Sequence, residues 1–109
     1  MKKTLAIGVF VIVLAAVFAA AQQQTRSLTG TVVNASEQPV ANAIVYLKNT
    51  KTLAIKTFIA QPDGSYRFHA LSPNVDYEVY AELNGKRSES KTLSSFDSRP
   101  NARINLKLE

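Results

Sequence analysis

The chain has 109 residues and a formal net charge of +5, with one His, no Cys and no Trp. This length supports one small domain, since domains cluster at about 100–150 residues. The absence of cysteine excludes a disulfide scaffold, a thiolate zinc site, a cysteine nucleophile and a lipoprotein anchor. A single histidine also excludes a multi-histidine metal centre.

The first residues have the layout of a secretory signal peptide. Met1-Lys2-Lys3 is positively charged, and an apolar run extends from Leu5 to Ala21. Small residues at Ala19 and Ala21, followed by the polar Gln22, form a cleavage site at the expected spacing. We therefore expect cleavage after Ala21 and export to the periplasm or the outside of the cell.

An uncleaved anchor is the competing interpretation of this segment. The apolar run is longer than the usual signal core of about 7–15 residues, and it reaches the lower limit for spanning a bilayer. Its alanine-rich end favours cleavage. The predicted organisation is a signal-peptide helix at 1–21, a flexible leader at 22–26 and one domain at 27–109.

Charge in the remaining chain is dispersed among acids. The densest basic spot is Lys86-Arg87, and Glu89 follows closely. Because a nucleic-acid or membrane footprint requires clustered cations, we expect no nucleic-acid partner. Membrane association is expected only through the N-terminal segment, if that segment stays uncleaved.

Apolar and polar residues alternate after residue 25, which is the period of half-buried β-strands, and no window shows helical spacing. Seven strands are predicted: Arg26–Asn34, Ala43–Asn49, Thr52–Ala60, Tyr66–Ala70, Asp76–Leu83, Lys86–Leu93 and Ala102–Leu108. Seven short strands separated by turn residues predict an all-β fold, an antiparallel seven-stranded β-sandwich.

The alternation also assigns a face to each side chain. In the third strand it places Ile55, Thr57 and Ile59 toward the core and Phe58 outward. The sixth strand is polar on both faces, which is typical of a sheet edge. Between the fifth and sixth strands, Asn84-Gly85 predicts a type I′ hairpin turn.

Several short segments, in order, resemble carboxypeptidase regulatory-like domains. They are Gly30-Thr31-Val32-Val33, Pro39–Val45, Asp63–Phe68 and Leu71-Ser72-Pro73, followed by Tyr77. The resemblance implies a transthyretin-like (prealbumin-like) sandwich, also described as a carbohydrate-binding-like fold. In the namesake enzymes this domain accompanies a zinc carboxypeptidase domain and performs no chemistry.

A second resemblance provides an alternative fold. Leu71-x-Pro73-x-x-x-Tyr77 is similar to the tyrosine corner of fibronectin type III domains, in which the tyrosine hydroxyl bonds to nearby backbone. The characteristic strand tryptophan of those domains is missing, and their pattern lacks the Asp63–Phe68 hairpin. The carboxypeptidase regulatory-like sandwich is therefore the preferred prediction.

No catalytic constellation is evident in the residues. His69 is predicted on an outward face, and Ser65, Ser72 and Asp63 lie in turns without a nucleophile signature. We therefore expect neither an enzyme nor a cofactor or metal site.

Aromatic side chains are the main candidate for a binding surface. Tyr46, Phe58 and Tyr80 fall opposite the core by strict alternation, together with Ile44. Such a face can bury against a protein partner or stack on sugar rings, although β-propensity alone places aromatics on sheets. The favoured hypothesis is a non-catalytic protein-interaction or structural module, in which the edge segment Lys86–Leu93 could also add a strand from a partner. The alternative is a carbohydrate-binding module.

Overall fold

The computed structural model describes residues 24–109, which contain nine strands and no helix. The strands, in chain order, are β1 Arg26–Val33, β2 Ile44–Asn49, β3 Ile55–Ile59, β4 Ser65–Leu71, β5 Tyr77–Leu83, β6 Lys86–Arg87, β7 Lys91–Leu93, β8 Asn101–Arg103 and β9 Leu106–Lys107. They form two sheets packed as a sandwich. The predicted all-β sandwich is therefore confirmed.

The sandwich consists of a four-stranded and a five-stranded sheet. In the first, β1 is central, with β4 on one side and β8 and β9 on the other. In the second, the order is β3-β2-β5-β6, and β7 also pairs with β5. The pairings of β1 with β8 and β9 are parallel, and the other strand pairs are antiparallel.

Period-two alternation builds the core between the sheets. Because successive side chains of a strand point to opposite faces, one set from each strand is buried. The largest fully buried side chains are Leu28, Leu47, Leu71, Leu93, Leu106, Val32, Val45 and Val79. Burial of these side chains is the main favourable contribution to folding, since each is worth about 1.5–3 kcal/mol.

The predicted signal peptide lies outside the described residues, and so do its cleavage residues Ala19, Ala21 and Gln22. Of the predicted leader, Gln24 and Thr25 are exposed and have no regular structure. Arg26 is not part of a leader, because it is the first residue of β1 and only 4% exposed. From residue 24 onward, no helix is long and apolar enough to cross a membrane.

The predicted last strand is divided at Ile104, where its backbone lies very close to Gly30 of β1. Between β8 and β9, the carbonyl of Ile104 lies over Gly30, where an added Cβ would be 1.8 Å from that oxygen. The buried Tyr66 hydroxyl donates to the same carbonyl, and burial raises the pKa of Tyr66, which keeps this donor protonated. At the break, the Thr31 amide donates to Asn105 Oδ1 at 3.1 Å. The Tyr66 and Asn105 side chains thus supply hydrogen bonds where the regular ladder is interrupted.

The predicted sixth strand is divided at a buried serine. Ser88 is 5% exposed, and its Oγ accepts a hydrogen bond from the Ala81 amide at 2.8 Å. The Ser88 amide donates to the Ala81 carbonyl at 2.9 Å. The chain then resumes pairing with β5 one residue out of step, at Lys91. The polar segment is at the sheet edge, as its composition predicts.

The fourth strand contains a β-bulge that extends it by one buried residue. The register between β1 and β4 shifts after Phe68, and Ala70 has a φ of 57°. Without the extra residue, Leu71 would point outward. With it, Leu71 is 1% exposed.

A buried arginine ties the loops together at one end of the sandwich. The Arg26 guanidinium donates to the carbonyls of Ser72 and Val75 in one loop and of Ser94 and Asp97 in another. The Tyr77 hydroxyl accepts from the Ser72 amide at 2.9 Å. Two loops distant in sequence are therefore joined by one side chain.

Candidate binding surface

The outer surface of the five-stranded sheet, here called the aromatic face, combines aromatic and aliphatic side chains. Strands β3, β2 and β5 contribute to it in register. Its uncharged members are Ile44, Tyr46, Ile55, Thr57, Ile59 and Tyr80, and the register places Lys48, Glu78, Glu82 and Arg87 on the same face. Ile55 and Ile59 are 55% and 64% exposed, and Ile44 is 38% exposed.

Two tyrosines stack at the centre of the aromatic face. Tyr46 and Tyr80 are directly opposite on β2 and β5, and their ring centroids are 4.8 Å apart with 16° between the planes. A stacked aromatic pair contributes about 0.5–1.5 kcal/mol beyond its area burial. The rings therefore face each other and do not form a flat row.

An arginine covers the other side of Tyr80. The Arg87 guanidinium carbon lies 3.9 Å from the Tyr80 ring centroid. Since β2 and β6 flank β5 on opposite sides, Tyr46 and Arg87 approach the Tyr80 ring from opposite directions. The two faces of the Tyr80 ring are thus covered by Tyr46 and Arg87, and the edge of the ring faces solvent.

Phe58 does not belong to the aromatic face, so its predicted orientation is wrong. It pairs with the buried Val45 and is itself half-buried against the core. Its ring packs edge-on to Phe68, with centroids 6.2 Å apart. Ile55, Thr57 and Ile59, predicted inward, are exposed on the outside instead.

The physical reason for this error is the position of β3 at a sheet edge. Alternation identifies the two faces of a strand, but it does not say which is buried when both carry apolar side chains. Here the aromatic ring of Phe58 fills the space beside β4, and the three residues of the other set remain in solvent. Pairing with β2 was the missing information, because Val45 and Phe58 must share a face.

Arg87, Ile55 and Ile59 are members of the surface that the alternation pattern did not identify. Arg87 belongs to a predicted edge strand that is polar on both faces, so no periodicity marks it. Its register opposite Glu82 becomes evident only once the Asn84-Gly85 turn is fixed. The φ values of 51° and 80° at these two residues fit the predicted type I′ turn.

The outer surface of the four-stranded sheet, here called the polar face, is different in character. Thr29 lies in register between Arg67 on β4 and Arg103 on β8. Arg103 donates to Thr31 Oγ1 at 3.1 Å. None of the exposed large hydrophobic residues of the described chain belongs to this face. The two outer surfaces of the sandwich thus differ in that the exposed isoleucines of residues 24–109 lie on the aromatic face alone.

The residues considered for catalysis do not form a site. His69 is exposed at the bulge of β4. Ser65 Oγ donates to Asp63 Oδ1 at 2.6 Å within a turn, and this hydrogen bond lowers the pKa of Asp63. Among residues 24–109, no three His, Cys, Asp or Glu side chains come close enough to hold a metal ion.

Solved structures with the same fold include pilins and catechol dioxygenases. The pilin subunit BcpA of Bacillus cereus matches at a TM-score of 0.58 and 10% identity, over 78% of this chain and 30% of that one. The C-terminal domain of the shaft pilin SpaA from Lactobacillus rhamnosus GG matches at 0.55 and 9% identity, over 80% and 100%. The 3-chlorocatechol 1,2-dioxygenase of Rhodococcus opacus 1CP matches at 0.58 and 10% identity, over 80% and 60%. At these identities the likeness concerns the fold.

The chain spans less than a third of the length of the first of these pilins. None of the curated proteins matches it in sequence. The sequence model described as carboxypeptidase regulatory-like domain matches residues 27–109, which is most of the chain. The order of glycine, proline and Asp-Gly elements noted in the sequence is thus that of an established family. The chain belongs to the carboxypeptidase regulatory-like domain family.

Proposed function

We propose that the chain is an exported, non-catalytic β-sandwich module that binds a protein partner through its aromatic face. The observation that carries this proposal is the contrast between the two outer surfaces. Ile44, Ile55 and Ile59 are exposed around a stacked tyrosine pair on one sheet, whereas the other sheet presents threonines and arginines. Contiguous exposed apolar surface on a small domain is typical of interaction sites.

The composition of the aromatic face fits a protein partner. Interface cores are enriched in tyrosine and arginine, and these side chains frequently dominate binding energy. Here the Tyr46–Tyr80–Arg87 stack is already ordered by contacts within the chain. Preformed side-chain positions reduce the entropy lost on association. The stack would serve as a rigid anchor beside the exposed Ile44, Ile55 and Ile59.

Export is supported by the signal-peptide layout of residues 1–22. A domain without disulfides must be stabilised by its core and polar ties in an oxidising compartment. The pilins that share the fold support a location at the bacterial surface. We propose that this module is located in the periplasm or outside the cell.

Carbohydrate binding through the same tyrosines is less favoured by the geometry. Sugar rings stack on the open faces of aromatic rings, but Tyr80 is enclosed between Tyr46 and Arg87. Phe58, the third member of the predicted aromatic row, packs toward the core. We expect unchanged mobility of the chain in gels carrying a panel of polysaccharides. Retardation that is lost in Tyr46→Ala would favour the carbohydrate-binding alternative.

Two substitutions, one on the aromatic face and one on the polar face, test the protein-binding proposal. Ile44→Lys puts an ammonium group on the aromatic face opposite Glu82, and Thr29→Glu puts a carboxylate on the polar face between Arg67 and Arg103. Each new charge has a complementary neighbour, so both variants should fold. Intact host cells are treated with a chemical crosslinker, and adducts of the chain with other proteins are identified by mass spectrometry.

The proposal expects a discrete heterologous adduct with the wild-type chain. Its yield should fall at least about tenfold in Ile44→Lys, because a charge would be buried at the interface, and should persist in Thr29→Glu. Equal loss in both variants, or persistence in both, would refute the assignment to the aromatic face. Circular dichroism of the purified variants checks that both are folded.

A further inference from the structure

The third strand is an exposed sheet edge with open hydrogen-bonding groups. β3 is the end strand of the five-stranded sheet and pairs with β2 among the strands of residues 24–109. Its residues Ile55–Ile59 are exposed apart from the half-buried Phe58. A strand in this position can pair with another chain.

The alternation of hydrogen-bonded residues along β3 identifies which backbone N–H and C=O groups point away from β2. The Ala60 amide donates to Ala43, and the Asn49 amide donates to Ala54, at 2.8 and 2.9 Å. In an antiparallel pair, bonded positions alternate along each strand. Residues 54, 56, 58 and 60 therefore bond toward β2. The N–H and C=O groups of residues 55, 57 and 59 point to the free edge.

We propose that β3 pairs antiparallel with β3 of a second copy of this chain, with the two-fold axis at Thr57. In this register Thr57 is opposite its counterpart, and Ile55 is opposite Ile59 of the second copy. Every outward-pointing backbone group of the strand is then used, which gives about six intermolecular hydrogen bonds. The two five-stranded sheets become one continuous sheet.

Side-chain pairing supports a second copy as the occupant and fixes the register. On the aromatic face, Ile55 and Ile59 form two aliphatic cross-strand pairs, which stabilise a sheet. On the opposite face, Lys56 is placed against Phe58 of the second copy, where an ammonium group can contact the ring. The strand is therefore complementary to itself in its aliphatic pairs and in the contact of each Lys56 with a Phe58 ring.

Neighbouring registers are less favourable. Moving the two-fold axis to Lys56 places two ammonium groups directly opposite each other, which is destabilising. Moving it to Phe58 leaves residues 57 and 59 as the paired positions and brings Gln61 opposite Ile55. The Gln61 amide already donates to Ser65 within the turn. The axis at Thr57 is the one register that uses all three open positions.

This association is independent of the proposed partner binding, because it requires only the chain itself. It would join two aromatic faces side by side, with Ile55 and Ile59 at the junction. Its failure would leave the proposed function of the aromatic face unaffected. Conversely, a loss of crosslinked adducts with other proteins would not affect the proposed pairing of two copies of this chain.

Site-specific disulfide trapping tests the proposal, because the chain contains no cysteine of its own. Opposed residues of a hydrogen-bonded antiparallel pair have Cα atoms about 5.5 Å apart, within the range that a disulfide spans. Thr57→Cys should therefore form a disulfide-linked dimer during export of the full chain, seen on non-reducing gels. Thr92→Cys is the matched control, an exposed threonine on β7 at the other side of the same sheet.

The proposal expects a dimer band at twice the monomer mass for Thr57→Cys and monomer for Thr92→Cys. Monomer in both variants, or a dimer with Thr92→Cys alone, would overturn it. Equal trapping at both positions would indicate random collision and would also overturn it.

A second pair of variants tests the backbone hydrogen bonds. Thr57→Pro removes an outward N–H group without removing a bond to β2, and proline is tolerated at such edge positions. Sedimentation of the exported chain should give a dimer dissociation constant at least about tenfold higher for Thr57→Pro than for wild type. Thr57→Val retains the N–H group and should associate as wild type. A monomeric wild-type chain, or equal association of Thr57→Pro and wild type, would refute the pairing.

Discussion

At the scale of single residues, Arg26 has the role that a disulfide often has in small exported domains. Its guanidinium is buried, and it donates to four carbonyls of two loops that are remote in sequence. A planar cation with five donors is well suited to join several carbonyls at once. The sequence contains no cysteine, so polar ties of this kind and the core must stabilise the fold.

Replacing Arg26 should destabilise the domain strongly. Arg26→Met keeps most of the apolar stem but leaves partly buried carbonyls without a donor, so we expect a loss of about 2–4 kcal/mol in the free energy of unfolding. Urea denaturation measures this loss. The matched variant Arg67→Met, at an exposed site on β4, should change stability by less than about 0.5 kcal/mol. Equal effects of the two substitutions would contradict the assigned role.

Gly30 and Gly85 provide a second comparison at this scale. A Cβ at Gly30 would collide with the Ile104 carbonyl and the Tyr66 ring, whereas a Cβ at Gly85 meets nothing within 4 Å. Gly30→Ala should therefore cost at least about 3 kcal/mol through displacement of β8 and β9. Gly85→Ala should cost about 1–2 kcal/mol, because its φ is 80°. Denaturation midpoints of the two variants measure these losses. A larger loss for Gly85→Ala would contradict the close approach of the Ile104 carbonyl to Gly30.

At the scale of elements, periodicity predicts strands well wherever one face is buried. β1, β2 and β5 lie between neighbours, and their inward residues match the alternation. β3 lies at an edge with apolar residues on both faces, so alternation alone assigned Phe58 to the wrong side. The divisions at Ser88 and Ile104 also could not be predicted, because they depend on contacts with β5 and β1 that are distant in sequence.

The loop that follows β7 should make stability depend on acid pH. The Asp97 carboxylate accepts hydrogen bonds from the Arg99 side chain and amide, which lower its pKa from 3.8 to about 2. The amide of Ser95 lowers the pKa of Asp76 in the same direction. Since the folded-state pKa is lower than the unfolded one, this stabilisation is present above about pH 4 and is lost as the pH falls toward 2.

Urea midpoints measured between pH 6 and pH 2 test this dependence. The wild-type midpoint should fall between about pH 4 and pH 2, and Asp97→Asn should show a smaller fall because its side chain no longer titrates. Glu89→Gln, in the exposed segment between β6 and β7, should retain the wild-type profile. An Asp97→Asn profile parallel to that of wild type would contradict the contribution of this carboxylate.

At the scale of the whole molecule, the exposed isoleucines of the sandwich lie on one of its two outer surfaces. Alternation correctly placed Tyr46 and Tyr80 on the outside, but their stacking and the cover provided by Arg87 depend on strand pairing. The exposure of Ile55 and Ile59 follows from the same pairing. The family and fold were therefore predictable from short motifs and period, whereas the apolar character of the aromatic face emerged only from the register of β3.

Binding of a protein partner by the aromatic face can be tested by placing a photo-crosslinking amino acid at single positions in living cells. Ile44 and Thr29 are suitable positions, because they lie on the aromatic and polar faces respectively. If the aromatic face binds a protein, we expect a discrete adduct with a second protein species from position 44 and none from position 29. The same adduct from both positions, or from position 29 alone, would contradict it.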